Sequence, residues 1–143
     1  MKGSDIVNSI KLIKQKASNI ELISNVPSEN MKKQLTIETS FNYHVDFADD
    51  LKHCKAYLQY DIIAQGSPDT LKMHIDMEGL FEVDMFATDA DKKLTHVQCY
   101  PLLFPYVQMC VVQMCIWGGL PPLLIPQAEI NVDDVELHSS DNV

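Results

Sequence analysis

Residues 102–117 read LLFPYVQMCVVQMCIW and contain no charged side chain. Apart from Tyr106 and the cysteines, the polar side chains in this stretch are those of Gln108 and Gln113. A helix that covers one face of a sheet ordinarily keeps a polar stripe toward solvent, and this segment has no clean stripe. We therefore expect a buried helix whose second side is also covered, most simply by a second copy of the chain.

The contact between copies is expected on one side of this helix, where leaving apolar side chains in water would forfeit about 1.5–3 kcal/mol each. The alternative is a monomer whose C-terminal tail folds back over the helix, but the tail after Ile130 is short and rich in acidic residues. The sequence does not decide between a dimer and a dimer of dimers. The expected interface residues are Tyr106, Met109, Val112, Gln113 and Ile116.

Upstream of the helix, three segments alternate between apolar and polar residues with period two, which predicts strands with one buried face. They are separated by short turns at 48–50 and 66–69, and connections this short require antiparallel neighbours. An earlier segment, 9–24, is predicted to be a fourth, irregular strand with a bulge or kink near 16–18. The three regular strands are residues 35–47, 54–64 and 71–85.

The helical region begins at Thr88 or Asp89, either of which can cap a short helix that ends near Cys99. The long helix is then expected to begin at Pro101 and to end at the two glycines Gly118 and Gly119. The predicted fold is α+β: a four-stranded antiparallel meander with one long helix and a short C-terminal helix packed on one face. We assign residues 1–143 to a single domain, with the sheet over about 9–85 and the helices and their connecting loop over about 88–138.

The overall composition argues against several classes of protein. A formal charge of -9 disfavours contact with nucleic acid. No apolar run follows Lys2, so we expect no signal peptide, and the apolar stretch 102–116 is too short to span a bilayer. A cytoplasmic protein follows from these observations, and in that compartment Cys54, Cys99, Cys110 and Cys115 are expected to be reduced core thiols.

Residues with catalytic or metal-binding chemistry are present, but they lack the partners that such sites require. His96 and Cys99 have helical spacing, yet zinc sites need a second pair of ligands. Carboxylate pairs on the polar face of strand 71–85 are expected to be solvated charges. The sequence contains no phosphate-binding glycine loop and no nucleophile elbow. We therefore expect no catalytic residue, no metal and no cofactor.

Two motifs flank the long helix. Residues 99–106 read CYPLLFPY and residues 118–123 read GGLPPL. Together they resemble the Leu-Phe-Pro-Tyr step and the Gly-x-(Phe/Leu)-Pro-Pro-Leu crossover loop of the SecB protein-export chaperone family. The segments 79–81 (GLF) and 131–133 (NVD) resemble further parts of that family. The resemblance is sharp over about 79–133, and upstream it rests on strand order and spacing.

The resemblance implies a chaperone that holds unfolded or nascent polypeptides without ATP and assembles as dimers that pair into a homotetramer. Its role would be in protein export or, as for related SecB-like proteins, as the dedicated chaperone of an antitoxin in a toxin–antitoxin system. An alternative of another class is an oligomeric adaptor that binds one folded partner. The sequence does not name the client.

Carried over position by position, the resemblance also implies a client-binding groove. Trp117, beside the crossover loop, is assigned to core packing first and to this groove second. In the family, the translocation motor SecA docks on acidic side chains of the first and fourth strands, but the aligned positions here hold Asn19, Ile23 and His74. The resemblance therefore supports peptide holding rather than SecA docking. The groove residues that it implies are Leu120, Leu123, Ile125, Leu80, Leu35 and Ile37.

Overall fold

The computed structural model describes residues 9–25, 36–65 and 70–135. Within these residues, four strands precede one long helix and a single 3-10 turn, Val132–Asp134. The strands form one antiparallel sheet in the order β1-β4-β3-β2, so the predicted α+β fold with a four-stranded antiparallel sheet is confirmed. The elements are β1 (Ile10–Ser24), β2 (Ile37–Phe47), β3 (His53–Ala64), β4 (Leu71–Val83) and α1 (Asp89–Trp117).

The predicted four-stranded meander holds for β2, β3 and β4 but not for β1. The first strand lies beside β4 rather than beside β2, which gives the whole sheet a Greek-key order. Only a short connection obliges consecutive strands to pair, and residues 25–36 separate β1 from β2. The long connection leaves β1 at the edge of the sheet.

The edge strand β1 is irregular, as predicted. Its register against β4 shifts between Ala17 and Asn19, within the region where a break was expected, and it shifts a second time between Leu12 and Lys14. Each shift adds one residue to β1, and such bulges increase the local twist of a strand. The sequence predicted only one of the two bulges, because each inserted residue interrupts the period-two alternation of apolar and polar residues by which a strand is recognised.

The core lies between α1 and one face of the sheet. On this face Gly79 is the position without a side chain, where an added methyl would lie 2.9 Å from Leu103 Cδ1 and 2.9 Å from Phe81 Cε1. Glycine therefore permits the close approach of α1 to β4. The buried residues of β3 and β4 are Cys54, Ala56, Leu58, Tyr60, Ile62, Ala64, Leu71, Met73, Ile75, Met77, Phe81 and Val83.

Met85, which was expected to continue the buried face of the last strand, is 47% exposed. The strand ends at Val83, and the next buried side chain is that of Phe86, whose backbone N–H donates to Leu51 O at 3.0 Å. This bond turns the chain toward the helix, so the period-two pattern no longer applies at Met85.

The helix begins and ends where the sequence predicts. The Thr88 hydroxyl accepts from the N–H of Asp91 at 3.1 Å, and the Asp91 carboxylate accepts from the N–H of Thr88 at 3.4 Å, which is a capping box. Gly118 is the C-terminal cap, and Gly119 has φ 68, a conformation that glycine adopts without a steric cost.

Between these ends the helix is continuous, and the predicted division into two helices near Cys99 is wrong. Pro101 and Pro105 both lie inside α1 and are both exposed. A proline inside a helix costs about 3 kcal/mol, but Tyr100 and Phe104, the residues that precede the prolines, are buried against the sheet. Tertiary packing of this kind supplies most of the stability of a helix in a protein.

The predicted short C-terminal helix is reduced to the 3-10 turn in the described chain. Asn131 caps it by accepting a hydrogen bond from the N–H of Asp133 at 3.0 Å. Val135 follows in an extended conformation and is buried. The remainder of the predicted helix, residues 136–138, lies outside the described residues.

Candidate binding surface

One side of α1 remains uncovered by the described chain. Met109 and Ile116 are each 64% exposed and Leu102 is 41% exposed. These residues recur at intervals of seven along the helix, so they share one side of it. With no charge between 102 and 117, this side is a contiguous apolar surface of the kind that marks interaction sites. We call it the helix strip, and it comprises Leu102, Tyr106, Met109, Val112, Gln113 and Ile116.

The five predicted interface residues all lie on the helix strip. Met109, Gln113 and Ile116 are exposed, whereas Tyr106 and Val112 are half-buried. Residues 118–131 pack beside the helix and leave the strip exposed. The alternative in which the tail after Ile130 covers the helix is not tested, because residues 136–143 lie outside the described residues. No second copy is present in the structure, so association through the strip stays a prediction.

A groove of about 320 Å³ runs between the helix strip and the edge strand β1. Gln15, Lys16, Ala17 and Ile20 of β1 form one wall. Tyr106, Cys110 and Trp117 are among the helix residues that form the other. The assignment of Trp117 to core packing is wrong: its side chain is 64% exposed. Met114, three residues earlier, takes the sheet-facing position, so the last turn of α1 directs the indole toward the groove.

The crossover loop, which we define as residues 118–131, packs on the opposite flank of α1. The predicted groove residues Leu120, Leu123 and Ile125 are 8%, 8% and 5% exposed, so the structure places them on the inner side of the loop against the core. Leu124 lies between two of them and is 78% exposed. In the described protomer, the large hydrophobic side chain that the loop exposes to solvent is therefore Leu124.

Two helix side chains bind the backbone of the crossover loop. The amide of Gln108 donates from Nε2 to Leu123 O at 3.0 Å and accepts at Oε1 from the N–H of Ile125 at 2.9 Å. The hydroxyl of Tyr100 accepts from the N–H of Ala128 at 2.9 Å. Sequence reasoning missed this role of Gln108, although a polar side chain on an otherwise apolar helix face indicates a buried partner.

Leu80 and Ile37, which were also predicted to line the groove, lie elsewhere. Leu80 alternates with Gly79 and Phe81, so it is on the face of the sheet away from α1, where it borders a separate groove of about 220 Å³ with Lys14 and Lys55. Ile37 is half-buried at the start of β2, on the far edge of the sheet. Leu35 lies outside the described residues.

The outer face of the sheet is polar and carries a histidine between two carboxylates. His74 Nδ1 lies 2.7 Å from Asp61 Oδ1, and its Nε2 lies 2.8 Å from Asp76 Oδ1. The hydrogen bond to Asp61 is the largest cause that raises the pKa of His74 above its ordinary value. In the register of β1 against β4, Asn19 lies opposite Asp76. The positions that were compared with SecA docking residues therefore lie on this outer face.

The four cysteines are free thiols, and Cys110 is half-buried whereas the other three are buried. Cys54 Sγ and Cys99 Sγ lie 3.9 Å apart in the core, and this contact, followed by burial, raises the pKa of Cys99. Burial also raises the pKa of the half-buried Cys110. Within residues 9–25, 36–65 and 70–135, no group of three or more His, Cys, Asp or Glu side chains could hold a metal ion.

By length and composition alone, α1 could also cross a membrane. A buried core helix passes the same test, and nine residues of α1, including Leu103, Val107 and Val111, are buried. This property of the helix is weak evidence for a membrane span.

The chain matches a known family model and a known protein. The family model described as Preprotein translocase subunit SecB matches residues 53–135. The Protein-export protein SecB of Saccharophagus degradans is 23% identical over 126 residues, which cover 87% of this chain and 73% of that protein.

The solved structures that share the fold include the following two. One is a Mycobacterium tuberculosis SecB-like chaperone in complex with a ChAD peptide from an antitoxin, with a TM-score of 0.65 at 15% identity, covering 84% of this chain and 88% of that one. The other, a protein of unknown function from Streptococcus agalactiae, has a TM-score of 0.54 at 11% identity and covers 83% of this chain and 98% of that one.

Proposed function

The chain belongs to the SecB family of chaperones, and from this we propose that it is an ATP-independent holdase for unfolded or nascent polypeptides. The observation that carries the proposal is the uncharged helix strip together with the largely apolar groove beside it. A client without a fixed sequence has to be held by burial of apolar surface, which is not directional and does not depend on sequence. Such holding requires no catalytic residue, nucleotide or metal.

We further propose that copies of the chain associate through the centre of the helix strip and that clients bind at its margins. Leu102, Met109 and Ile116 lie along this centre. The groove against β1 forms one margin, and the crossover loop with Leu124 forms the other. A symmetric contact of this kind gives a dimer, and two dimers would give the homotetramer that the family resemblance implies.

The test of the holdase function is suppression of aggregation. Several unrelated proteins are refolded from denaturant without nucleotide, in the presence of rising amounts of the protein. We expect aggregation to slow at near-stoichiometric amounts, and we expect the variant Ile20→Asp, in the wall of the groove, to be less effective. Saturable binding to one folded protein with no effect on any refolding protein would instead support the adaptor class and refute the holdase.

The cellular role is proposed to be in the cytoplasm. Protein export is supported by the relation to the Saccharophagus degradans protein, whereas the shared fold with a chaperone bound to an antitoxin peptide favours service to an antitoxin as the second candidate. Co-purification with SecA would support export. A toxin–antitoxin pair encoded beside the gene, with antitoxin solubility that depends on this protein, would support the second role.

A further inference from the structure

The two hydrogen bonds made by Gln108 have the pattern by which one residue of a β-strand pairs with a neighbouring strand. Its side-chain amide donates to Leu123 O at 3.0 Å and accepts from the N–H of Ile125 at 2.9 Å. These two backbone groups belong to residues on either side of Leu124, as they do when a strand pairs with its neighbour. The side chain therefore replaces a neighbouring strand for this part of the crossover loop.

Burial along the loop follows from this pairing. Leu123 and Ile125 are 8% and 5% exposed, whereas Leu124 is 78% exposed. Extended backbone directs successive side chains to opposite sides. Because Gln108 holds this segment extended, Leu123 and Ile125 point to the core and Leu124 points to solvent. The prolines at 121, 122 and 126 have no N–H to contribute to any alternative pairing.

We propose that Gln108 is a positioning residue for client binding, which holds the crossover loop so that Leu124 contacts an apolar, extended segment of an unfolded polypeptide. This inference rests on the holdase function proposed above and deepens it. In this proposal the client contact in the loop is Leu124 rather than Leu123 or Ile125. Leu123 and Ile125 instead anchor the loop against the core. An amide is required at 108 because it both donates and accepts, whereas a carboxylate only accepts.

The variant Gln108→Glu tests this requirement with an almost isosteric change. Near neutral pH its carboxylate faces the carbonyl of Leu123 with no proton to donate, so we expect affinity for the client to fall about tenfold. Protonation at about pH 4–5 restores an O–H donor, and the affinity of the variant should then approach that of the wild type. The matched control is Gln127→Glu, an equal change of charge at an exposed position of the same loop, which should show neither effect.

Two measurements are made on the full chain at each pH. Fluorescence anisotropy gives the affinity for a labelled, reduced and carboxymethylated polypeptide. Hydrogen exchange gives the exchange rate of the Ile125 N–H relative to that in the wild type. Faster exchange in Gln108→Glu with unchanged affinity overturns the inference, and so does weakened binding that acidification does not restore. A wild-type protein that fails to bind the polypeptide overturns the holdase proposal itself.

A second variant keeps the test decisive if Gln108→Glu does not fold. Leu124→Ser changes a side chain that is already 78% exposed, so the fold should survive, which circular dichroism verifies. We expect a loss of affinity of about tenfold, since a serine cannot bury the apolar surface that leucine offers. Wild-type affinity in Leu124→Ser contradicts the assignment of this residue as a client contact.

Discussion

Substitution of Ile116 by aspartate tests association through the helix strip. Burying a large aliphatic side chain completely contributes about 1.5–3 kcal/mol. Because 64% of the Ile116 side chain is still exposed in the protomer, covering the remainder contributes roughly 1–2 kcal/mol per copy, or about 2–4 kcal/mol for a symmetric pair. With about 1.4 kcal/mol for each factor of ten, Ile116→Asp should weaken the dimer by about 30- to 700-fold, and the cost of burying a carboxylate adds to this.

Sedimentation velocity over a dilution series measures the effect. We expect the wild type to remain associated at concentrations where Ile116→Asp is a folded monomer. The control is Leu51→Asp, which makes a similar change in the turn between β2 and β3. Leu51 is 38% exposed there with φ 64, a backbone conformation that aspartate tolerates better than leucine. A monomeric wild type at high concentration, or equal dissociation of wild type and Ile116→Asp, would refute the reasoning.

Three further predictions concern stability and reactivity. Gly79→Ala should cost about 1–3 kcal/mol of unfolding free energy in urea, since the new methyl would lie 2.9 Å from Leu103; stability equal to the wild type would show that the helix shifts without cost. The pKa of His74 is raised from 6.5, so its ion pairs stabilise the fold fully below pH 6.5 and lose this contribution as pH rises through the raised pKa. The stability advantage of wild type over His74→Gln should therefore shrink above pH 6.5, and an advantage that grows with pH would contradict the assignment. In the native protein, Cys110 should react with a thiol reagent before the buried thiols do, as mass spectrometry of the labelled peptides can establish.

Much of the fold could be predicted because its signals are local. Period-two alternation identifies the buried faces of β3 and β4, and Thr88 and Gly118 mark the ends of α1 by their capping chemistry. The absence of charge in 102–117 likewise predicted a helix whose second side is apolar, and Ile116 is exposed on that side in the protomer. Its coverage by a second copy stays a prediction.

What could not be predicted depends on contacts between distant parts of the chain. The position of β1 beside β4 follows from a long connection that imposes no partner. The continuity of α1 through Pro101 and Pro105 overrides a local rule by tertiary packing.

The crossover loop shows the same limit at the level of single side chains. Its composition does not reveal which of its leucines face the core, because that depends on the amide of Gln108. The family resemblance named Leu123 as a client contact, whereas the structure leaves Leu124 exposed and Leu123 buried.

The two bulges in β1 bear on a hazard that any protein with this function meets. A long, flat edge strand offers its backbone as a template for the growth of fibrils by other extended chains. The register shifts at 12–14 and 17–19 interrupt β1, and Lys11, Lys14 and Lys16 place positive charge along it. Such an edge is poorly suited to templating, so we expect this protein to contact aggregation-prone chains without seeding their conversion into amyloid.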